Sequence, residues 1–298
     1  MTRPFRFSVN MTIPTDGAGW RDKCRRAEEL GYDVIQVPDH LGMMAPFPAL
    51  VAAAAVTRRP RLGTFVLNAG FWNPALLARE IATTDALTGG RLEIGLGAGY
   101  VKEEHDRAGL DFPGPGGRVD RLRHTVGELI RLLEDDEHRP APAQRPRPPL
   151  MIGGDGDRVL KLAADHADIV AFSAGRDTER GMVPIDADQL DERVAAYRKL
   201  AGSLADPAGE RELNLLLQVA TVTDDPLGAA EAVLARAPAL ADVSPAQLLA
   251  YPQIVIGTVR EIADKLRTQR ERYGFTYVSV LDDALEAFAP VIEELRED

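Results

Sequence analysis

Eight short apolar runs separated by longer helical patterns constrain this chain more than any other feature of its sequence. Most of the runs are continuously apolar, which is typical of parallel strands covered on both faces. The candidate strands are Phe5–Val9, Asp33–Val37, Arg61–Leu67, Leu92–Leu96, Leu150–Ile152, Asp168–Phe172, Leu213–Thr221 and Tyr277–Leu281. Eight strand–helix units in one chain indicate an α/β fold, either a (β/α)8 barrel or a doubly wound open sheet.

The predicted helices fill the gaps between these strands. The segment Trp20–Leu30 ends before Gly31, and Pro74–Leu87 begins after Asn73 as N-cap, with proline at its first position. Further helices are predicted over Val119–Glu134, Arg158–His166, Ala187–Leu200 and Val259–Arg272. The count of eight strands and the absence of a mid-chain linker favour a single TIM barrel over residues 1–298.

Loop insertions are expected at the C-terminal face of that barrel. The segments Thr178–Asp188 and Ala201–Arg211 are predicted to be exposed loops, the first of them a lid. Glu103-Glu104-His105 is predicted to be the solvated start of a helix or loop.

Composition excludes several classes of function. With 46 acidic and 35 basic side chains the net charge is −11, which argues against a nucleic-acid or anionic-membrane partner. The one cysteine, Cys24, excludes a disulfide framework, and the five scattered histidines form no metal motif. The first residues lack the apolar core of a signal peptide, and no apolar run reaches ~18 residues. We therefore expect a soluble, cytoplasmic protein without a metal.

In a barrel of this kind the chemistry lies where the strands end, at their carboxyl termini. The second strand ends in Asp39-His40, a pair that can give or take a proton near neutral pH, although Pro38-Asp39 is equally an ordinary turn. The third strand ends in Asn68-Ala69-Gly70, which permits either a bulge or a simple turn.

Glycines mark the other two strand ends. Gly95, Gly97 and Gly99 alternate at the fourth, where Tyr100 breaks any dinucleotide-binding fingerprint. Close approach of a flat ligand explains this alternation better than loop flexibility.

The fifth strand ends in Gly153-Gly154-Asp155-Gly156 and leads directly into a helix, an arrangement that can bind a phosphate. The carboxylates of Asp155 and Asp157 oppose a phosphate, so a self-capped turn stays open as the alternative.

Taken in order, these strand ends resemble the luciferase-like monooxygenase superfamily, and within it the branch that uses the deazaflavin coenzyme F420. The resemblance spans nearly the whole chain and is most specific at Thr88–Tyr100, which reads TGGRLEIGLGAGY. The other matching segments are residues 31–41, 73–80, 148–154 and 255–263.

The resemblance implies a barrel that holds a flavin or deazaflavin across the carboxyl ends of its strands. Asp39 and His40 would lie beside the ring, with His40 as the catalytic proton-handling group. Asn68–Ala69 would form a bulge with a non-prolyl cis peptide behind the ring. Ala98 and Gly99 would line the ring and linker, and the loop of Gly153, Gly154, Asp155 and Gly156 would hold the phosphate.

Two positions depart from the family pattern. Ala98 stands where the sugar-phosphate-oxidising branch has an acidic residue, which argues against that substrate, and Asp155 replaces a small neutral residue. Met43, Met44, Phe47, Phe71 and Trp72 follow the candidate site loops and indicate a partly hydrophobic pocket.

The leading functional hypothesis is an F420-dependent oxidoreductase that transfers hydride to or from a small organic substrate. The alternatives are a reduced-FMN monooxygenase of the same fold and a non-catalytic cofactor-binding barrel. The resemblance also implies a homodimer formed through early helices. The Ala52–Val56 stripe and the helix after Pro74 are candidate contacts, although an ordinary buried helix face explains them equally well.

Overall fold

A computed structural model of the protein describes residues 3–173, 175–178, 181–202 and 211–296. Its strands are β1 (Arg6–Asn10), β2 (Val34–Val37), β3 (Arg61–Thr64), β4 (Leu67–Asn68), β5 (Leu92–Gly97), β6 (Leu150–Gly153), β7 (Ile169–Phe172), β8 (Gly175–Thr178), β9 (Gly181–Pro184), β10 (Glu212–Leu216), β11 (Val219–Val222), β12 (Ile254–Gly257) and β13 (Phe275–Leu281). Its helices are α1 (Gly17–Glu29), α2 (Pro46–Ala54), α3 (Pro74–Leu87), α4 (Lys102–Ala108), α5 (Pro115–Leu133), α6 (Asp157–His166), α7 (Ala187–Gly202), α8 (Pro226–Leu234), α9 (Pro245–Ala250), α10 (Val259–Tyr273) and α11 (Ala289–Arg296).

Eight parallel strands close into a barrel. The order around the ring is β1, β2, β3, β5, β6, β7, β10 and β13, with β13 pairing back to β1 and β4 continuing β3. Each predicted strand contributes to this ring, so the predicted TIM barrel is confirmed. None of the described helices is long and apolar enough to cross a membrane.

Side chains alternate between the outside and the inside of the barrel, as the two-residue repeat of a strand requires. On β1, Phe7 and Val9 belong to the main hydrophobic core. Arg6 instead forms ion pairs with Glu93 and Glu212 from β5 and β10. Because the three residues begin or nearly begin their strands, these pairs close the N-terminal end of the barrel.

Two predicted strands were wrong in extent: Arg61–Leu67 is interrupted between β3 and β4, and Leu213–Thr221 is divided more completely. Leu213–Thr221 is two strands, because the backbone changes partners after Leu217. The N–H of Leu217 still donates to the carbonyl of Ser279 in the barrel, whereas the N–H of Gln218 donates to Gln253. As a result β11 leaves the barrel and pairs in parallel with β12, which the strand prediction missed.

The two predicted loops are also corrected in part. Within Thr178–Asp188, β8 and β9 form an antiparallel hairpin and α7 begins at Ala187, so the described part is regular structure rather than an exposed loop. The helix α7 extends to Gly202, and residues 203–210 of the second predicted loop lie outside the described residues.

A bulge of one residue separates β3 from β4. Gly63 pairs with Glu93 of β5, but Leu67 pairs with Leu96, so β3–β4 has one residue more than its partner. The side chain of Thr64 bridges the interruption, since its hydroxyl accepts from the N–H of Gly95 at 2.9 Å and lies 3.0 Å from the Gly95 carbonyl oxygen.

The non-prolyl cis peptide lies in this bulge, between Phe65 and Val66. The expectation that it joins Asn68 to Ala69 was wrong by three residues. Asn68 is already paired again with Gly97, and the extra residue that makes the bulge precedes β4.

The alternating glycines of β5 make room for the bulge. A Cβ on Gly95 would overlap the carbonyl oxygen of Thr64, and one on Gly97 would lie 2.7 Å from Cγ2 of Val66. A Cβ on Gly99 would overlap the side-chain amide of Asn68. The explanation of this pattern by a flat ligand was therefore wrong, because residues of β3, of the bulge and of β4 fill the space at the three positions.

We predict that Gly95→Ala lowers the free energy of unfolding by about 2–3 kcal/mol, since backbone rather than a flexible side chain obstructs the new methyl group. The matched control is Gly127→Ala on the exposed face of α5, where no atom lies within 4 Å of the new Cβ. That variant should gain about 0.5–1 kcal/mol from helix propensity. Urea titration measures both, and equal effects at the two positions would contradict this account of β5.

Candidate active site

Asp39 connects the end of β2 to the segment around β4. Its Oδ2 accepts hydrogen bonds from the backbone N–H of Asn68 at 3.1 Å and from Nε1–H of Trp72 at 2.8 Å. Burial raises the pKa of this carboxyl group, and the two hydrogen bonds oppose the rise. Asp39 therefore determines where the third strand end lies relative to the second.

His40 contacts an acidic side chain at this end of the barrel. Its Nδ1 lies 2.9 Å from Oε1 of Glu104, which comes from the first half of α4. Because a carboxylate only accepts, Nδ1 carries the hydrogen in this pair. The imidazole is about a quarter exposed, with 27% of its side-chain surface accessible, and Nε2 makes no hydrogen bond to any described residue. A histidine fixed in this tautomer can accept or donate a proton at Nε2.

The prediction that Glu103-Glu104-His105 is solvated was wrong for two of its residues. Glu103 is exposed, but the side chain of Glu104 is only 12% exposed and His105 is buried at 1%. The helix α4 begins a few residues after β5 ends, so its first turns lie at the mouth of the barrel. Because Glu104 follows a barrel strand so closely, the sequence could have indicated it as a candidate site residue.

Asn68 holds the third and fourth strand ends together. Its Oδ1 accepts from the N–H of Gly70 at 2.9 Å, and its Nδ2 lies 3.0 Å from Nε2 of His105. The Nδ1 of His105 lies 3.1 Å from the carbonyl oxygen of Asp111, so this histidine accepts from Asn68 and donates to Asp111. The amide of Asn68 is therefore fully engaged within the protein.

The predicted cofactor-binding residues of these two strand ends are differently accessible. Asn68 is 6% exposed and Ala69 is completely buried, so neither side chain is presented to a ligand. Ala98 and Gly99 are half-buried, as are Phe65 and Val66 of the bulge. The surface available to a flat molecule is thus formed by the bulge and by the end of β5.

The glycine loop after β6 leads into α6 as predicted. Gly154 has a φ of +135°, and Gly156 is the N-cap of α6 without a side-chain cap. The carboxylates of this loop are engaged: Oδ2 of Asp155 accepts from the hydroxyl of Ser173 at 2.6 Å, and Asp157 pairs with Arg193 at 2.7 Å. Since no side chain caps the helix, its first N–H groups can bind an anion.

Asn10, at the end of β1, is a further polar residue at the mouth of the barrel that a bound group could contact. It is 5% exposed, and its Oδ1 has no hydrogen-bond partner among the described residues. A buried carbonyl oxygen in this state, at the open end of the barrel, can accept a hydrogen bond from a bound group or from water. Over the described residues, no group of three or more His, Cys, Asp and Glu side chains could hold a metal ion.

Comparisons with known proteins agree with this fold. The family described as "Luciferase-like monooxygenase" matches residues 5–250. The chain therefore belongs to this family, and it is an oxidoreductase or monooxygenase dependent on flavin or F420.

The relatives include both kinds of enzyme. The 5,10-methylenetetrahydromethanopterin reductase of Archaeoglobus fulgidus is 27% identical over 91% of this chain and 83% of its own length. The oxygenase component of the flavin-dependent trigonelline monooxygenase of Acinetobacter baylyi is 34% identical over 43% of this chain and 41% of its own.

Among solved structures, an F420-dependent secondary alcohol dehydrogenase in complex with an F420–acetone adduct superposes with a TM-score of 0.78. It is 17% identical, over 99% of this chain and 100% of that one. At this identity the superposition shows the shared fold.

We predict that Asp39→Asn becomes more stable relative to the natural protein as pH rises. Burial raises the pKa of Asp39 above 3.8, so the folded state binds more protons than the unfolded state just above that pH. The stability of the natural protein therefore falls as pH rises through this window, whereas the asparagine has no charge to bury and its oxygen can accept the same two hydrogen bonds. Urea unfolding of both proteins from pH 4 to 7 measures the free energy of unfolding of each, and a variant that loses stability relative to the natural protein as pH rises contradicts the assignment.

Proposed function

We propose that this chain binds coenzyme F420 at the mouth of the barrel and transfers hydride between F420 and a small, neutral organic substrate. The observation that supports the proposal is the contact of His40 with Glu104, which fixes the tautomer of an imidazole after the carboxyl end of β2. The relative from Archaeoglobus fulgidus supports a reductase, because it matches nine-tenths of the chain.

Different residues of the chain would hold the cofactor and transfer the proton. The N-terminus of α6 with Gly153, Gly154 and Gly156 would hold the phosphate of the cofactor, and Val66 and Ala98 would support its ring. When bound, the reduced deazaflavin supplies a hydride. His40 gives or takes the accompanying proton at Nε2, while Glu104 holds the ring through Nδ1.

The residues around His40 favour a neutral and partly apolar substrate. Leu41, Met43 and Tyr100 expose 39%, 37% and 56% of their surface, and the rings of Tyr100 and His40 lie edge to face at 5.8 Å. The carboxylates of Asp39 and Glu104 in the same region would repel an anionic substrate. This agrees with Ala98 in arguing against a sugar phosphate.

A reduced-FMN monooxygenase is the second candidate. It is favoured by the flavin-dependent relative from Acinetobacter baylyi, which is more identical to this chain than the reductase but over less than half of its length. The two functions require different cofactors, so binding separates them.

A homodimer is also part of the proposal. Leu76 and Leu87 at the two ends of α3 are 51% and 64% exposed, which gives this early helix apolar surface for a second copy. Sedimentation equilibrium at micromolar concentration should give twice the mass of 32.4 kDa, and the mass of a single chain would exclude the dimer.

We predict that reduced F420 binds more tightly than reduced FMN. Anaerobic titration followed by fluorescence gives both dissociation constants, with riboflavin as a control that lacks the phosphate. Tight binding of FMN together with no binding of F420 would reverse the choice of cofactor.

We also predict that His40→Ala lowers turnover by about 10²–10⁴-fold, the usual contribution of a general acid or base, while the cofactor dissociation constant changes by no more than a few-fold. Glu104→Gln should lose less, about 10–100-fold, because the amide oxygen can still accept from Nδ1. The matched control is Glu103→Gln, which changes an exposed acid one position away on α4.

Turnover is followed through F420 absorbance with any substrate that the natural protein converts. Full turnover in all three variants, His40→Ala, Glu104→Gln and Glu103→Gln, would show that His40 is not the proton-handling group.

A further inference from the structure

Asn10 is the one side chain of β1 that faces the inside of the barrel without a partner among the described residues. Ser8 and Arg6, two and four positions before it, contact groups inside the barrel, so the two-residue repeat places Asn10 on the same side. As the last residue of β1, it lies at the carboxyl end, where the barrel opens.

The polar side chains one layer deeper satisfy one another. The hydroxyls of Ser8 and Ser279 lie 2.9 and 3.2 Å from Oε1 of Gln36, and Nε2 of Gln36 donates to the hydroxyl of Tyr277 at 3.0 Å. Asn10 pairs by register with Gln36 and Leu281 but does not join this network. Its buried Oδ1 therefore lies between these hydrogen-bonded side chains and the open mouth.

The place of β1 in the ring relates Asn10 to the proposed site. β1 is the neighbour of β2, which ends beside His40, and it is four strands from β6, directly across the ring from the glycine loop. A ligand anchored by its phosphate at that loop and reaching His40 has its reacting end on the side of the mouth where Asn10 lies.

We propose that Asn10 accepts a hydrogen bond from an N–H or O–H group at the reacting end of the molecule bound in the mouth. The donor is the imide N–H of the cofactor ring or a hydroxyl of the substrate. This inference rests on the proposed function, which puts the ring and substrate at this place. An uncharged acceptor suits a neutral donor, in keeping with the neutral substrate proposed above.

The proposal predicts opposite effects on stability and on binding. In the free protein a buried oxygen without a partner is unfavourable, so Asn10→Leu, which has nearly the same size and no polar atom, should unfold at an equal or higher temperature. With ligand present the same change removes the acceptor. The affinity for the molecule that supplies the donor should then fall about five- to tenfold, as expected for one neutral hydrogen bond.

Asn214 offers a matched control inside the same barrel. It pairs with Tyr277, four positions below the partner of Asn10 on β13. Its Oδ1 is buried without a partner among the described residues, like that of Asn10, but its Nδ2 donates to the hydroxyl of Ser279 at 2.8 Å. Asn214→Leu should therefore unfold at a lower temperature and leave ligand affinity unchanged. Should it not fold, Asn73→Ala, which removes the N-cap of α3, serves as the destabilised control.

The experiment titrates the natural protein, Asn10→Leu, Asn10→Asp and the control with F420 and with FMN, and then titrates the F420-loaded proteins with 2-propanol and cyclohexanol. Weakened cofactor binding in Asn10→Leu identifies the ring as donor, and weakened alcohol binding identifies the substrate. Asn10→Asp keeps an acceptor oxygen and should restore part of the affinity.

Equal affinities of Asn10→Leu and the natural protein for both cofactors and both alcohols would overturn the inference while leaving the proposed function intact. A fall in unfolding temperature equal to that of the control, with equal loss of affinity in both, would also overturn it, because the role would then be structural. Failure of F420 to bind the natural protein would instead reject the proposed function.

Discussion

The single extra residue between β3 and β4 is the constraint on which the rest of the site depends. It displaces Thr64, Phe65 and Val66 toward β5, and only glycine at positions 95 and 97 leaves room for them. Beyond the bulge the chain resumes pairing at Leu67, which brings the backbone N–H of Asn68 to Asp39. The mouth of the barrel is thus shaped by packing between neighbouring strands before any ligand is considered.

From Asn68 the constraint extends to the catalytic candidates. Its amide contacts Gly70 and His105, and His105 is part of the same short helix that carries Glu104 to His40. The position of the His40 partner therefore depends on a buried hydrogen-bonded connection that starts at the bulge. Such a connection is rigid because each of its polar groups has a partner, and an unpaired one would be costly in the interior.

Much of the fold could be predicted from the sequence because its signals are local. Continuous apolar runs identified the eight barrel strands, and Asn73 followed by proline identified the start of α3, where its side chain accepts from two backbone N–H groups. The strand ends with Asp39, His40 and the glycine loop were likewise recognisable from their own residues.

What the sequence could not indicate depends on contacts between distant segments. Gly99 is required by Asn68, and His40 is held by Glu104, which is 64 residues further along the chain. The split of Leu213–Thr221 depends on Gln253, a partner from another unit. The alternating glycines around β5 were attributed to a ligand because their pattern shows that space is needed there. The pattern does not show that the atoms in that space belong to a distant segment of the same chain.

The central claim is that a planar cofactor lies across the carboxyl ends of these strands, between the glycine loop and His40. The most direct measurement is an electron-density map of crystals soaked with reduced F420 and, separately, with FMN. The account predicts density that reaches from Gly154 over Val66 to the space between His40 and Asn10. A mouth without density, or cofactor bound instead on the outer surface between α1 and α11, would contradict it.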